Sequence, residues 1–288
     1  MTSQVPQDAC DCHTHIFGEA QRFPFAPERT YTPGPASVAE MRAMHCALQT
    51  SRVVVVQPSV YGTDNACTLD AIRQLGTSAR GIAVIDDQTP DSILDEMHRT
   101  GIRGVRLNLQ TEGISDPALA RQRFQRVAAR LSGLGWHIQL YTQPSLIEAI
   151  SDLVMATEVP VVFDHFGGAQ ASLGIHQAGF PALLNLVRTG KAYVKISAPY
   201  LVSAQAPDYP DIAPLAKALI AANPQRMLWG SNWPHPDAAK VPGRQLTDIA
   251  PFLEIDDSRV FNQLAIWAPD PARRQAILVE NPARLYGF

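Results

Sequence analysis

The sequence lacks the features that would assign it to several specialised classes of protein. No stretch reaches the roughly 18 consecutive apolar residues that a membrane-spanning helix needs. Its 24 basic and 27 acidic residues give a net charge of −3, and neither sign forms a long run. A nucleic-acid-binding protein normally carries a basic stripe, so we expect no nucleic-acid partner and no membrane partner. The 23 prolines are scattered rather than concentrated in a disordered tract, and the composition predicts a globular chain with a large core.

Cysteine is also scarce, since four residues in a chain of 288 are too few for a disulfide framework. Cys10 and Cys12 lie beside His13, which raises a metal site as one interpretation. Strand alternation favours another, in which the cysteines share one face as small core residues under the helices. Asp11, His13 and His15 then share the other face. The N-terminus lacks the charged and apolar regions of a signal peptide, so we expect a reduced, cytoplasmic protein.

Short apolar runs alternate regularly with helical patterns along the whole chain. The predicted strands are Ala9–Phe17, Val53–Gln57, Gly81–Ile85, Gly104–Leu109, His137–Tyr141, Val161–His165, Ala192–Ser197 and Arg226–Trp233. The predicted helices include one that opens with the capping box Ser37-Val-Ala-Glu40, one from Thr89 to Gly101, and Asp116–Leu134, Pro144–Ala156, Phe180–Thr189, Ile212–Ala222 and Pro271–Leu285. This alternation predicts an α/β fold, a (β/α)8 TIM barrel forming one domain over residues 1–288. An open doubly wound sheet is the alternative, but no Gly-x-Gly-x-x-Gly follows the first strand.

Active sites of such barrels lie at the carboxyl ends of the strands, where this sequence places many polar residues. They are His13, His15, Gln57, Ser59, Asp86, Arg106, Asn108, Tyr141, Asp164, His165, Lys195, Ser197 and Asn232. Alternate strand residues point away from the barrel interior, so some of these are structural. We expect Lys195 to point outward, because its neighbours Val194 and Ile196 are apolar. We expect Asp164 to cap the backbone or to orient His165.

The strand-end motifs form a recognisable series. His13-Thr-His15 places two imidazoles on one strand, His165 adds a third from across the barrel, and Trp233-Pro-His235 follows the last strand. The series comprises Asp11–Phe17, Phe23–Pro33, Val55–Asp70, Gly81–Val84, Gly101–Asn108, Gly135–Tyr141, Asp164–Gly167, Leu228–Pro236 and Asn281–Tyr286. In these segments the chain resembles the amidohydrolase superfamily, in the branch that contains 2-pyrone-4,6-dicarboxylate lactonase and other sugar and muconate lactonases. The resemblance implies a (β/α)8 fold and attack on the carbonyl of a small-molecule lactone, usually without a metal.

The residues themselves favour a metal-independent site. A binuclear amidohydrolase needs a bridging lysine, two further histidines and a last-strand aspartate in addition to the His-x-His pair. Strands four and five here end in Leu-Asn-Leu109 and Leu-Tyr-Thr142, and Asn232 takes the place of the last carboxylate. We therefore expect no cofactor. The alternative is a metal-dependent amidohydrolase or decarboxylase that binds a divalent metal such as zinc through His13, His15 and His165.

Asn232 bears most directly on the reaction. The resemblance places a general-base aspartate at this position in the lactonases, and an asparagine has no basic lone pair at neutral pH. Either His15 or His165 activates water in a hydrolysis, or a substrate hydroxyl attacks the carbonyl, as in the similar galactarolactone isomerase. That isomerase also carries asparagine here but lacks the histidine that corresponds to His13. An inactivating replacement of aspartate is a third interpretation.

We predict His13, His15, His165 and Asn232 as catalytic, and the substrate-binding set comes from the same resemblance. Arg106 matches an arginine that holds a substrate carboxylate, a role that suits its planar, two-pronged donor group. The second arginine of that clamp is Glu112 here, and a strand-seven arginine is also replaced, so the sequence favours a less charged, hydroxyl-rich lactone. The other predicted substrate-binding residues are Tyr31, Ser59, Tyr61, Asn108, Tyr141 and His235. A catalytically inactive barrel that binds a sugar acid is a further alternative.

Overall fold

The computed structural model describes residues 5–239 and 241–288. Its strands are β1 (Cys10–Thr14), β2 (Thr32–Pro33), β3 (Arg52–Val56), β4 (Ala79–Ala83), β5 (Ile102–Asn108), β6 (His137–Tyr141), β7 (Val161–Phe163), β8 (Ala192–Ser197), β9 (Met227–Gly230) and β10 (Ile249–Ala250). Residues 1–4 lie outside the described residues. They begin the segment that was interpreted as lacking a signal peptide.

Eight of these strands form one parallel sheet in the order β1-β3-β4-β5-β6-β7-β8-β9. The sheet closes on itself where β9 returns to β1. There the amide of Asn232 donates to the carbonyl of His13 at 2.8 Å, and the amide of His15 donates to the carbonyl of Trp233 at 2.8 Å. The predicted (β/α)8 barrel is therefore confirmed, and the closing hydrogen bonds place the first and last site motifs side by side.

Helices connect the strands on the outside of the barrel. They are α1 (Val38–Leu48), α2 (Ala66–Leu75), α3 (Asp91–Thr100), α4 (Pro117–Leu131), α5 (Pro144–Ala156), α6 (Phe180–Arg188), α7 (Ala213–Ala222), α8 (Asp257–Trp267), α9 (Pro271–Gln275) and α10 (Asn281–Tyr286). The capping box of Ser37 and Glu40 is present at the start of α1. Gly101 ends α3 with a φ of 121°, which a residue with a Cβ rarely adopts. The sequence patterns predicted neither α2 nor α8.

The core has two layers. The larger layer lies between the strands and the helices. The smaller one fills the barrel interior and consists of Cys10, Cys12, Val54, Val56, Ile82, Val162, Tyr193, Leu228 and Tyr286. Tyr286 and Phe288 close the amino-terminal end of the barrel, where the guanidinium of Arg80 lies 4.7 Å from the Phe288 ring. The interior above this plug is therefore free to carry polar side chains towards the opposite end.

The predicted orientation of the β1 cysteines is wrong, because a β-bulge interrupts the alternation. Asp11 pairs with Val53 and Thr14 pairs with Val55, so β1 has one residue more than β3 between these two pairs. An extra residue reverses the facing of everything after it. Cys10 and Cys12 point into the barrel, and because of the bulge His13 points inward as well rather than to the opposite face.

Asp11 lies on the opposite face, towards α1. Its carboxylate accepts hydrogen bonds from Nε2 of His45 at 3.1 Å and from Oγ of Ser231 at 2.6 Å. It also accepts from the backbone amides of His13 and Ser231. Asp11 thus holds β1 and the end of β9 in a fixed relation, which positions His13 and Asn232.

Among the residues that the structure describes, none of the helices combines the length and the apolar character that crossing a bilayer requires.

Candidate active site

A cavity of about 420 Å³ opens at the carboxyl ends of the barrel strands. Predicted site residues that line it are His15, Tyr31, Ser59, Arg106, Asn108, Tyr141, His165 and Asn232. A neighbouring cavity of about 530 Å³ shares Ser59, Arg106 and Asn108 with the first. The volume and the mixed polar lining suit a small polar molecule, and the location is the usual one for a barrel enzyme.

Three imidazoles converge at the base of this cavity. The ring centroid of His13 lies 5.0 Å from that of His15 and 4.7 Å from that of His165. Nδ1 of His15 lies 2.8 Å from the carbonyl oxygen of Val56. A carbonyl only accepts, so this nitrogen carries the proton, and Nε2 of His15 keeps a free lone pair.

Burial keeps these rings neutral. Burial, helped by the nearby Arg106 guanidinium, lowers the pKa of His15 to about 3. Burial likewise lowers the pKa of His165 to about 3, although the Asp164 carboxylate opposes the shift. The pKa of His13 falls well below its usual value, because of burial and the Lys195 ammonium. The site therefore holds uncharged imidazoles at neutral pH.

The predicted outward orientation of Lys195 is wrong. The side chain is fully buried inside the barrel beneath His13. Its Nζ lies 2.7 Å from Oε1 of Gln139, 3.2 Å from Nδ1 of His13 and 3.4 Å from Oδ1 of Asp164. The amide oxygen of Gln139 and the Asp164 carboxylate are acceptors, which suits an ammonium group. Val194 and Ile196 face the helices, because that side of a barrel strand needs the apolar residues.

Asp164 is the anionic partner of this cluster rather than a backbone cap. Its carboxylate accepts from Nε2 of Gln139 at 3.0 Å and lies 3.5 Å from Nε of Arg106. Burial alone would raise the pKa of this carboxyl, but Lys195, His13 and Arg106 together hold the pKa well below its usual range. Asp164 is therefore ionised, and with Lys195 and Arg106 it leaves the cluster with one excess positive charge.

The predicted substrate-binding residues divide into two groups. Tyr31, Ser59, Arg106, Asn108 and Tyr141 line the cavity as expected. Tyr61 and His235 are absent from its lining. The Tyr61 hydroxyl instead accepts a hydrogen bond from the amide of Gly18 at 3.0 Å, and His235 lies behind Tyr200.

Asn232 is held in one orientation at the cavity wall. Its Nδ2 donates to the hydroxyl of Tyr200 at 2.8 Å, while Oδ1 has no hydrogen-bond partner among the described residues. The backbone of Asn232 has a φ of 64°, a left-handed conformation that asparagine tolerates better than most residues. His165 and His235 share this conformation. Such backbone conformations persist only where the surrounding structure enforces them, and they cluster at functional sites.

The cluster also contains a set of potential metal ligands, which differs from the predicted set. The donor atoms of His13, Asp164 and His165 lie within 4.8 Å of one another. Asp164 thus takes the place that the sequence assigned to His15. The fit to a divalent ion is nevertheless poor, because the Lys195 ammonium already contacts both His13 and Asp164. A second cation at this point would be repelled in a buried, weakly screened environment.

Five residues that the structure places at the site were not selected as site residues from the sequence. They are Gln139, Asp164, Lys195, Tyr200 and Asp257. The alternation of β8, with Tyr193, Lys195 and Ser197 on one face, was the available signal for Lys195. Tyr200 and Asp257 lie on irregular segments or helix starts, where no periodic pattern identifies an inward-facing side chain.

Comparison with known proteins shows the family of this chain. The family model described as amidohydrolase matches residues 10–288. The chain is 33% identical to a 2-pyrone-4,6-dicarboxylate hydrolase of Comamonas testosteroni, over 98% of this chain and 91% of that protein. It is 33% identical to a 4-sulfomuconolactone hydrolase of Rhizobium radiobacter, with the same coverage. It is 27% identical to a D-galactarolactone isomerase of Agrobacterium fabrum, over 88% of this chain and 81% of that protein. The chain belongs to the amidohydrolase family.

Proposed function

We propose that this enzyme hydrolyses the ester bond of a small lactone that carries one carboxylate, without a metal ion. The observation that carries the proposal is the cavity itself, which neutral His15, Arg106 and Asn232 line together. The two curated relatives at 33% identity, both named as hydrolases, support the reaction class. Turnover of a panel of γ- and δ-lactones, followed by NMR, tests the proposal, and ring opening of at least one member is expected.

Water is the nucleophile in this proposal. Oδ1 of Asn232 accepts a hydrogen bond from the water and orients it, and Nε2 of His15 takes its proton as oxygen attacks the carbonyl carbon. His165 lies 2.8 Å from the Ser197 hydroxyl through Nδ1. If that hydroxyl donates, Nε2 of His165 carries a proton and stabilises the oxyanion. The ring C–O bond then breaks, and the departing alkoxide receives the proton from His15.

The acid limb of the pH–rate profile tests the assignment of the bases. Since the pKa of His15 and of His165 is lowered to about 3, both remain neutral as the pH falls through about 6.5, where an ordinary histidine protonates. We expect kcat/KM for lactone hydrolysis to stay flat between pH 8 and pH 5, after subtraction of spontaneous hydrolysis. An acid limb with its midpoint near 6.5 would show that an unshifted histidine is the base.

This measurement needs a folding control at each pH. The same lowered pKa values destabilise the fold in acid, because below about 6.5 the unfolded chain binds protons that the buried rings do not. Circular dichroism at each pH separates loss of structure from loss of the base.

Arg106 is the proposed carboxylate-binding residue. Its guanidinium lies 5.6 Å from the Tyr141 ring, and the side chain lines both cavities. One excess positive charge in the cluster favours one substrate carboxylate rather than two. Where the resemblance places a second arginine, this chain has Glu112, whose side chain is paired with Arg123. That position therefore adds no positive charge for a second substrate carboxylate.

Arg106→Gln is expected to lower kcat/KM by about 10- to 100-fold for a lactone with a carboxylate, mostly through KM, since a charged hydrogen bond contributes about 1.5–3 kcal/mol. Steady-state kinetics on D-galactaro-1,4-lactone and on uncharged D-glucono-1,5-lactone measure the effect. The uncharged lactone should change little. Arg126→Gln, at an exposed arginine paired with Asp87, is the matched control. Equal losses on both substrates would remove Arg106 from the carboxylate-binding role.

Metal independence in this proposal rests on Lys195. Its ammonium supplies the buried positive charge beside His13 and Asp164 that a divalent ion would otherwise supply. The donors left to an ion are those of His13, Asp164 and His165. They are too few to displace the ammonium unless Lys195 first loses its proton. The proposed mechanism therefore contains no metal-dependent step.

Lactone isomerisation is the second candidate, and Asn232 favours it. A carboxamide orients a hydroxyl without ionising it. A substrate hydroxyl in place of water would close a new ring as the old ring opens, with no net hydrolysis. The 27% identical relative named as D-galactarolactone isomerase supports this reading.

A further inference from the structure

Behind the cavity wall, four side chains form a continuous line of polar contacts. Nδ2 of Asn232 lies 2.8 Å from Oη of Tyr200, and this oxygen lies 3.1 Å from Nδ1 of His235. Nε2 of His235 lies 3.1 Å from Oδ1 of Asp257. The line runs from the cavity wall to the first turn of α8. We call it the Asn232–Asp257 relay.

The contacts of the relay fix the direction of its first hydrogen bond. The amide nitrogen of Asn232 only donates, so the Tyr200 oxygen accepts from Nδ2. The His235 ring contacts the same oxygen from the other side and itself lies beside the Asp257 carboxylate. The amide NH2 of Asn232 therefore points to Tyr200, and Oδ1 points away from it.

The relay is well placed to keep this order. The side chains of His235 and Asp257 are 5% and 16% exposed, and Asn232 is 4% exposed. The rings of Tyr200 and His235 pack edge to face, with centroids 5.5 Å apart. The turn that carries Asn232 and His235 is closed by a hydrogen bond of 2.9 Å from the amide of His235 to the carbonyl of Asn232. Water has little access to compete for these partners.

We propose that Tyr200, His235 and Asp257 are positioning residues that fix the Asn232 carboxamide with Oδ1 towards the substrate. This inference rests on the proposed function for its kinetic consequence but not for its geometry. Without the relay, the amide is free to rotate and present NH2, which cannot accept the hydrogen bond of an attacking hydroxyl. The relay thus makes this wall of the cavity an acceptor for water or for a substrate hydroxyl.

A kinetic cycle tests the positioning role. Tyr200→Phe is expected to lower kcat on D-galactaro-1,4-lactone by about 10-fold, the size of one lost hydrogen bond, with KM changed by less than about 3-fold. In an Asn232→Ala background the same change should cost nothing more, because it acts through the amide. Additive losses would overturn the inference. Tyr209→Phe, at a buried tyrosine outside the relay, is the matched control.

A measurement that needs no turnover separates this inference from the proposed function. In ¹⁵N NMR of histidine-labelled protein, Tyr200→Phe is expected to shift the Nδ1 resonance of His235, because the two groups are in contact. Tyr209→Phe should leave it in place. An unchanged Nδ1 resonance in Tyr200→Phe would overturn the relay even if lactones are turned over. The expected shift without turnover of any lactone would instead refute the proposed function and leave the relay standing.

Discussion

Asn232→Asp is expected to raise the hydrolytic kcat by at least about 10-fold, because a positioned general base contributes about 10²–10⁴-fold. The new carboxylate would lie at the cavity wall, where the Asn232 amide now orients the nucleophile without accepting its proton. The variant should also lose about 1 kcal/mol of stability, the net contribution of one hydrogen bond, because the Nδ2 donor to the Tyr200 hydroxyl is removed. Kinetics on a panel of lactones and urea unfolding measure the two effects.

Asn232→Ala should change the hydrolytic rate in the opposite direction. Removing the acceptor should lower hydrolysis by about 10-fold, since one hydrogen bond to the nucleophile is lost. An enzyme that isomerises lactones would respond differently, exchanging isomerisation for hydrolysis in the aspartate variant. If neither replacement changed either rate, the role assigned to Asn232 would be wrong.

Lys195→Leu is expected to convert the cluster into a zinc site. The replacement removes the ammonium from His13 and Asp164 and leaves the three donors, including His165, within 4.8 Å of one another. Without added metal the variant should lose about 3–5 kcal/mol of stability, the usual cost of leaving a buried charge without its partner. Saturating Zn²⁺ should restore part of this loss, because an ion that binds only the folded state stabilises it.

Metal analysis and thermal unfolding of the dialysed proteins measure both effects. The unmodified protein should retain no stoichiometric zinc and should keep its activity in EDTA. Lys217→Leu, at an exposed lysine of α7, is the matched control for loss of a positive charge. Stoichiometric zinc in the unmodified protein, with activity lost to the chelator, would contradict the account of Lys195.

The regular parts of the molecule could be predicted from the sequence. The bounds of β6 and β8 agree with the predicted His137–Tyr141 and Ala192–Ser197. This follows because turn residues bound each apolar run and a parallel barrel strand is covered on its outer face. Since strand ends carry the site, predicting the strands also brought His15, Arg106 and His165 to one cavity.

The parts that could not be predicted depend on local irregularity or on distant partners. Strict alternation assigned the wrong face to Cys10 and Cys12, because a bulge has no reliable sequence signal. Lys195 was assigned outward on the expectation that its apolar neighbours face the barrel interior, whereas Val194 and Ile196 face the helices. Tyr200 and Asp257 meet through His235 across long sequence separations, which no local pattern encodes.

The fate of solvent oxygen tests the central claim most directly. Metal-free enzyme is incubated with a carboxylate-bearing lactone in H₂¹⁸O, and the product is analysed by ¹³C NMR and mass spectrometry. Hydrolysis through a water held by Asn232 and His15 predicts a ring-opened acid with one ¹⁸O in the new carboxylate. An isomeric lactone that contains no solvent oxygen would contradict it, as would a reaction that proceeds only after a divalent metal is added.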